Sequence, residues 1–248
     1  MKFELKISKE VKQLFRGLNS AKSVLQGLQF YITESFIDIG GIDTGRVKLS
    51  MLRIPHKDKK PIEPITIEPS VFLSMITHLL DNETITIEDY KRDKNTGVRI
   101  VCNDREFTFT EDCPPPAIKP TSLNKIYSDE KTDYLEFSME WKEWSYILRE
   151  LNLMGFDTFD FSTRNGDLWI DAEGHYYTYK RKIISLSKCR KKTEITKVTF
   201  AMRNFDRNIY QPIKINIKDD DPICLTFEHE GITLKQWIAP RIEDDDYD

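Results

Sequence analysis

The chain has 248 residues, of which 39% are hydrophobic and 31% are charged, as in folded proteins of one or two domains. Its net charge of −4 gives no overall attraction for nucleic acid, so a DNA-binding surface would have to be a local concentration of positive charge. No apolar run approaches the ~18 residues of a membrane span, and the alternating start MKFELKISKE does not resemble a signal peptide, so we expect no membrane partner.

Alternation of apolar and polar residues predicts many β-strands. Such alternation indicates antiparallel sheets with one buried face and one polar face. The strands are expected at residues 3–7, 84–88, 98–101, 107–109, 135–139, 159–161, 213–217, 223–227 and 232–238.

Four segments instead have apolar residues at helical spacing. The first follows Ser8, a candidate N-cap, and the second follows Pro69, a residue tolerated in a first turn. The third starts near residue 141 and ends before Gly155. The fourth candidate helix, at residues 200–209, ends before Pro212.

The two halves of the chain have the same order of predicted elements. Each half reads as strand, helix, strands, strand, helix and three strands. The first strands begin at residues 3 and 135, which are 132 positions apart, and the strands before the second helices are expected at 65–68 and 198–201. A repeat of this length indicates two similar domains. We therefore predict an α+β fold of two similar domains, each with antiparallel sheet and two helices.

A proline-rich segment, CPPPAIKP at 113–120, separates the halves. Prolines at this density cannot lie inside a sheet and favour an extended, stiff connector. The predicted boundaries are domain 1 at 1–116, an interdomain connector at 117–133, domain 2 at 134–242 and an acidic tail at 243–248.

Several segments resemble the sliding clamps of eukaryotes and archaea, the proliferating cell nuclear antigen (PCNA) family. The most specific is LKQWIAPRIED at 234–244, which resembles the closing strand and tail of these clamps. Weaker matches are VTFAMR at 198–203, IDTGRVKL at 42–49, and LREL at 148–151 followed by Gly155. The matches are collinear, so the resemblance covers essentially the whole chain.

The resemblance implies the DNA clamp fold and a non-enzymatic ring, typically a homotrimer, whose helices line a hole around double-stranded DNA. Such a processivity factor tethers DNA polymerase and other replication and repair proteins through short peptide motifs. It is placed on DNA by a clamp loader and uses no cofactor. The implied location is the nucleus of a eukaryote, the cytoplasm of an archaeon, or the host nucleus or viral factory of a virus.

A ring that slides must attract phosphates without reading bases, so lysines and arginines on the helices are the candidate DNA ligands. Their alternative role is that of ordinary solvated helix faces. The second predicted helix has no Lys or Arg, in which it departs from the family. The candidates are Lys9, Lys12, Arg16, Lys22, Lys142, Arg149, Arg203 and Arg207.

A pocket for partner peptides is implied beside the connector. Its apolar connector residues would either anchor a partner or simply attach the connector to the sheet. A basic residue at position 46 would favour a more acidic ligand. The pocket residues, by resemblance, are Ile42, Arg46, Val47, Leu123, Ile126, Pro222, Ile238, Ala239 and Pro240.

Trimerisation would need one edge strand from each domain, and the candidates are residues 105–111 and 175–183. A further basic concentration, at residues 180–192, contains seven Lys or Arg among thirteen residues. It is either a flexible charged loop or an added phosphate contact.

Catalytic and metal-site motifs are missing from the sequence. The HEG at 229–231 lacks the second His of a zinc-protease helix, DDD at 219–221 fits a turn, and the four cysteines form no CxxC pair and are expected to be free thiols. We therefore predict no enzyme and no metal site. The alternatives to a homotrimeric clamp are a subunit of a heterotrimeric checkpoint-type clamp, a monomeric virus-type processivity factor, and an interaction scaffold that does not encircle DNA.

Overall fold

A computed structural model describes residues 2–18, 25, 27–56, 62–92, 95–111, 133–190, 192–205, 209 and 212–241. The chain divides into two compact units, the first formed by Met1–Ser128 with Glu228–Lys235 and the second by Asp129–Phe227 with Gln236–Asp248. The predicted connector lies outside the described residues except for Asp133, and the predicted tail lies wholly outside them.

The strands of the first half pair in two antiparallel orders and are accompanied by two helices. The strand orders are β1-β6-β7-β8 and β5-β2-β3-β4. The elements are β1 (Lys2–Lys6), α1 (Lys9–Arg16), β2 (Leu28–Ile32), β3 (Phe36–Ile42), β4 (Lys48–Pro55), β5 (Ile62–Ile67), α2 (Pro69–His78), β6 (Thr84–Arg92), β7 (Asn95–Cys102) and β8 (Arg105–Thr110).

The second half repeats this arrangement strand for strand. Its strands pair in the orders β9-β14-β15-β16 and β13-β10-β11-β12, which match the two orders of the first half when β9 is set against β1. The elements are β9 (Leu135–Met139), α3 (Trp141–Leu153), β10 (Thr158–Arg164), β11 (Asp167–Glu173), β12 (Thr178–Ser185), β13 (Val198–Ala201), β14 (Ile213–Ile217), β15 (Ile223–His229) and β16 (Ile232–Ile238). The nine predicted strands are confirmed, although several extend beyond the alternating residues from which they were predicted.

The first two helices follow from their caps and apolar faces. The hydroxyl of Ser8 accepts a hydrogen bond from the backbone N–H of Val11 at 3.1 Å, as expected of an N-cap. At α2, the Glu68 carboxylate accepts from two backbone N–H groups of the first turn. Phe72, fully buried on α2, lies edge-on to Phe30 with ring centroids 5.3 Å apart, which fixes this helix over the sheet.

The predicted fourth helix is wrong at its start. Val198–Ala201 is β13, paired with β10, and Met202–Asn204 then forms a single 3-10 turn. The strand is favoured because alternation buries Val198 and Phe200, the latter against Phe161 with ring centroids 6.1 Å apart. Residues 206–208, in the rest of this predicted helix, lie outside the described part of the chain.

Three cysteines, Cys102, Cys189 and Cys224, are described, and all three are buried free thiols. In the described segments, no helix is both long enough and apolar enough to span a membrane. Within the same segments, no group of three or more His, Cys, Asp or Glu side chains is placed to hold a metal ion.

Candidate nucleic-acid interface

The outward side of α1 carries three cations in the first unit. Lys9 and Arg16 are exposed. The Lys12 side chain is only 12% exposed, and its ammonium group lies 2.7 Å from a carboxylate oxygen of Asp81. Three predicted DNA ligands therefore share one helix, but a carboxylate already engages one of them. The opposite face of α1 is buried through Val11, Gln13, Leu14 and Phe15.

Helix α2 contributes no Lys or Arg to this surface. Its outward positions are Ser70, Val71, Ser74 and His78, all exposed. The His78 Nδ1 lies 2.7 Å from the backbone oxygen of Ser74, so this ring is engaged with its own helix. The cations of the first unit's described helices are therefore confined to α1.

Helix α3 exposes two predicted ligands in the second unit, Lys142 and Arg149. The neighbouring carboxylate of Glu150 accepts hydrogen bonds from the Tyr179 hydroxyl at 2.8 Å and from Arg181 at 2.7 Å. Burial alone would raise the pKa of Glu150, but these hydrogen bonds hold it below its ordinary value. The charge of the Glu150 carboxylate is thus compensated by Arg181 of β12, so it offsets little of the positive charge of Arg149.

One further predicted DNA ligand, Arg203, lies directly after β13. Arg203 is exposed in the 3-10 turn that replaces the predicted helix. Lys22 and Arg207 lie outside the described residues. The described candidates therefore form two groups, one on α1 and one on α3 and the turn, each within its own unit.

The first-unit part of the predicted peptide pocket is a tight turn after β3. A carboxylate oxygen of Asp43 accepts from the backbone N–H of Val47 at 2.8 Å and of Lys48 at 2.9 Å. Arg46 has a left-handed backbone (φ 54°) and an exposed side chain, while Ile42 and Val47 are half-buried. The turn therefore presents an exposed cation, with a half-buried apolar residue before it and another after it in the sequence.

The second-unit part of the predicted pocket is contributed by the β14–β15 turn and the segment after β16. Ile238 is buried, whereas Pro222, Ala239 and Pro240 are half-buried. The backbone N–H of Arg241 donates to the carbonyl of Thr199 at 2.8 Å and ties this segment to β13. Leu123 and Ile126 lie outside the described residues, so the assembled pocket stays a prediction.

Two outer strands are flanked by exposed apolar side chains that the sequence analysis did not identify. Beside β8, a groove of about 600 Å³ lies against α2, with Phe107 and the 62%-exposed Val71 in its wall. Beside β12, α3 exposes Tyr146 and Leu153, the latter at 78%. Unpaired strand edges next to exposed apolar groups are suited to pairing with another chain. Tyr146 and Leu153 are seven positions apart and so lie on one face of α3, and this spacing is the pattern from which the exposed apolar face could have been predicted.

Sequence comparison alone assigns no relative: no protein-family model and no curated protein matches this chain. Solved structures match it in fold. One is the PCNA2–PCNA3 complex of Sulfolobus tokodaii, with a TM-score of 0.75 and 17% identity over 98% of this chain and 100% of that chain. Another is PCNA of Entamoeba histolytica, with a TM-score of 0.75 and 14% identity over 97% of this chain and 98% of that chain. At these identities the likeness concerns the fold, and the chain has the DNA clamp fold of the PCNA structures.

Proposed function

We propose that this chain is a sliding-clamp subunit that encircles double-stranded DNA and tethers replication and repair enzymes, with no catalytic activity of its own. The observation that carries the proposal is the fold likeness to PCNA structures over 97–98% of the chain. Exposed cations on α1, on α3 and in the turn after β13 support it.

The proposed contact with DNA is electrostatic. Lysine and arginine attract phosphates irrespective of sequence, and such contacts allow a protein to slide. Lys9, Arg16, Lys142, Arg149 and Arg203 carry this charge on long side chains that are exposed to solvent. A protein that must hold DNA without stopping on it needs this kind of attraction.

The proposed ring closes by pairing β8 of one copy with β12 of the next. Both are outer strands of their sheets and therefore have unpaired backbone groups. Their charges are partly complementary. On β8 and the residue after it, Glu106 and Glu111 accompany Arg105, which is paired with Glu83 of its own chain, whereas β12 carries Lys180, for which the described salt bridges include no partner. A homotrimer is the ring that we propose, and its tethered enzymes would dock at the peptide pocket predicted around Arg46.

A second candidate is a mixed ring, in which this chain is one of several different subunits. The solved PCNA2–PCNA3 complex is an assembly of two different PCNA chains. Helix α2 of this chain has no Lys or Arg, so a neighbour with a more basic helix would strengthen attraction for DNA.

Two measurements test the proposal. Size-exclusion chromatography with light scattering is expected to give three times the 29.2 kDa of one chain. Rings assembled on a nicked circular plasmid at high protein concentration are then passed through a sizing column before and after the plasmid is cut once. Release on cutting supports encirclement, whereas equal retention on circular and linear DNA contradicts it. A monomeric mass on its own, with a trimer formed after addition of related subunits, would favour the mixed ring.

A further inference from the structure

The loop between β12 and β13 is attached to the protein and not free. The Cys189 side chain is buried at 6% exposure. Next to it, the backbone N–H of Arg190 donates to the carbonyl of Glu136 on β9 at 3.0 Å, and the Thr193 hydroxyl donates to the carbonyl of Asp133 at 3.0 Å. The loop therefore runs beside β9, the outer strand of its sheet, and is fixed to it at two points.

The cations of this loop are exposed to solvent and have few carboxylate partners. Lys188, Arg190 and Lys192 are exposed, the Arg190 side chain at 78%. The nearest carboxylate is that of Glu136, which lies 3.4 Å both from Arg190 and from Lys214 and is therefore shared by two cations. Of the three loop cations, only Arg190 thus has a described carboxylate partner, although the exposed Glu194 follows two residues after Lys192.

The preceding strand differs in this respect, although the sequence forms one basic run. On β12, Lys182 lies 2.6 Å from Asp167 and Arg181 lies 2.7 Å from Glu150. The described salt bridges include none to Lys188 or Lys192. In the run from 180 to 192, two of the three cations of β12 are therefore paired, whereas in the loop only Arg190 has a described carboxylate partner.

The chemistry of the loop favours a linear polyanion. Protein partners are generally anchored by exposed aromatic or aliphatic side chains. Among the described residues, the large hydrophobic side chains that are exposed are all elsewhere: Phe36, Val71, Leu80, Tyr146, Leu153, Tyr176 and Tyr177. A row of Lys and Arg without such an anchor suits phosphates, which need charge and not a pocket.

We propose that Lys188, Arg190 and Lys192, in the loop after β12, bind the phosphate backbone of DNA, as a second contact apart from the cations of the helices. Buried Cys189 fixes the loop, and the flanking lysines and Arg190 supply the charge. Because this contact needs neither a closed ring nor a hole, it operates on linear DNA. The proposed contact can therefore be tested independently of encirclement.

The test uses the full-length chain and a short, linear, fluorescently labelled duplex, with binding followed by anisotropy over a range of salt concentrations. The variant Lys188→Glu with Lys192→Glu leaves the Arg190–Glu136 attachment in place. The matched control is Lys6→Glu with Lys91→Glu, two exposed lysines of β1 and β6, which changes the net charge equally. Circular dichroism establishes that both variants are folded.

The loop variant is expected to bind about tenfold more weakly at moderate salt, with a salt slope smaller by roughly 0.9 for each phosphate that the loop no longer neutralises, while the control matches the unmodified protein. An unchanged affinity and slope in the loop variant would overturn the proposal. So would a polyglutamate peptide that displaces the duplex at equal charge concentration, since the loop would then be a site for acidic proteins. Loss of linear-duplex binding in a variant that is still retained on circular DNA would support the loop site and leave encirclement intact.

Discussion

The ammonium group of Lys12 on α1 lies 2.7 Å from the carboxylate of Asp81, in the turn after α2. This pair holds one of the three α1 cations against the protein's own surface. An ion pair of this kind competes with phosphate for the same charge.

Replacing Asp81→Asn is therefore expected to increase attraction for DNA. The freed Lys12 should raise the affinity for duplex DNA a few-fold and steepen the salt slope by up to about 0.9. Asp104→Asn, an exposed carboxylate in the β7–β8 turn, removes the same charge away from α1 and is the control. The assignment of Lys12 to the DNA surface fails if the two variants bind duplex DNA equally.

Charge reversal at Arg16, Arg149 and Arg203 is expected to weaken retention on circular DNA by at least about tenfold, because three phosphate contacts would become repulsions. All three side chains are exposed, so the free energy of unfolding should change little. Retention is measured on a sizing column at moderate salt. The double variant Lys6→Glu with Lys91→Glu is the comparison for net charge, and it accounts for four of the six units of charge that the triple variant changes. Wild-type retention by the triple variant would remove these residues from the DNA surface.

A proline on β8 should block ring assembly without unfolding the chain. The backbone N–H of Glu111 donates to the Thr96 carbonyl at 2.7 Å, so by antiparallel alternation the N–H of Thr108 faces the outer edge of the sheet. Thr108→Pro removes that donor and is compatible with an outer strand. Light scattering should give the mass of one chain, whereas Thr108→Ala should keep the assembly.

The companion variant Phe107→Pro separates edge effects from loss of structure. Phe107 is opposite Ile100 at a position where the ladder to β7 is hydrogen-bonded, so its proline should lower the melting temperature. If Thr108→Pro assembles as the unmodified chain does, β8 is not the strand that joins copies.

The carboxylate of Glu136 should make the protein sensitive to acid. Burial alone would raise the pKa of Glu136, but the hydrogen bond from Asn216 at 3.0 Å and the charges of Lys214 and Arg190 lower it below its ordinary value of 4.5. A lowered pKa contributes stability that is present above the ordinary value and is lost as the pH falls below it.

Glu136→Gln should therefore lower the free energy of unfolding by about 1–3 kcal/mol at neutral pH, and this difference should shrink at about pH 3. Urea denaturation at both pH values measures it. Glu4→Gln, at an exposed site on β1, should show neither effect. A difference that is the same at both pH values would mean that packing, and not charge, explains the loss.

The strands and the start of α1 could be predicted because their signals are local. Alternation identifies a half-buried strand from five residues, and Ser8 with Val11 makes a cap within one turn. The segment that begins at Phe200 was ambiguous because a short apolar segment fits both the helical period of about 3.6 residues and the strand period of about 2 residues. The repeat predicts a strand at 198–201, and the packing of Phe200 on Phe161, 39 residues earlier, decides the overlap with the predicted helix in favour of the strand.

The candidate sites were less predictable because they join distant residues. The exposed cations of α1 and α3 could be chosen from helical spacing and resemblance. The pairing of Lys12 with Asp81 and of Arg190 with Glu136 connects residues 69 and 54 positions apart. Only the folded chain shows which cations are neutralised and which are available.

The matching strand orders of the two halves show how much the sequence of such a fold can diverge while its connectivity is kept. The connectivity is specified by where apolar residues recur, and many different residues satisfy that requirement. Outward positions are then under separate selection, so a helix can lose its lysines and a loop can gain them while the scaffold persists. A three-dimensional likeness that survives at 14–17% identity is the expected outcome of that independence.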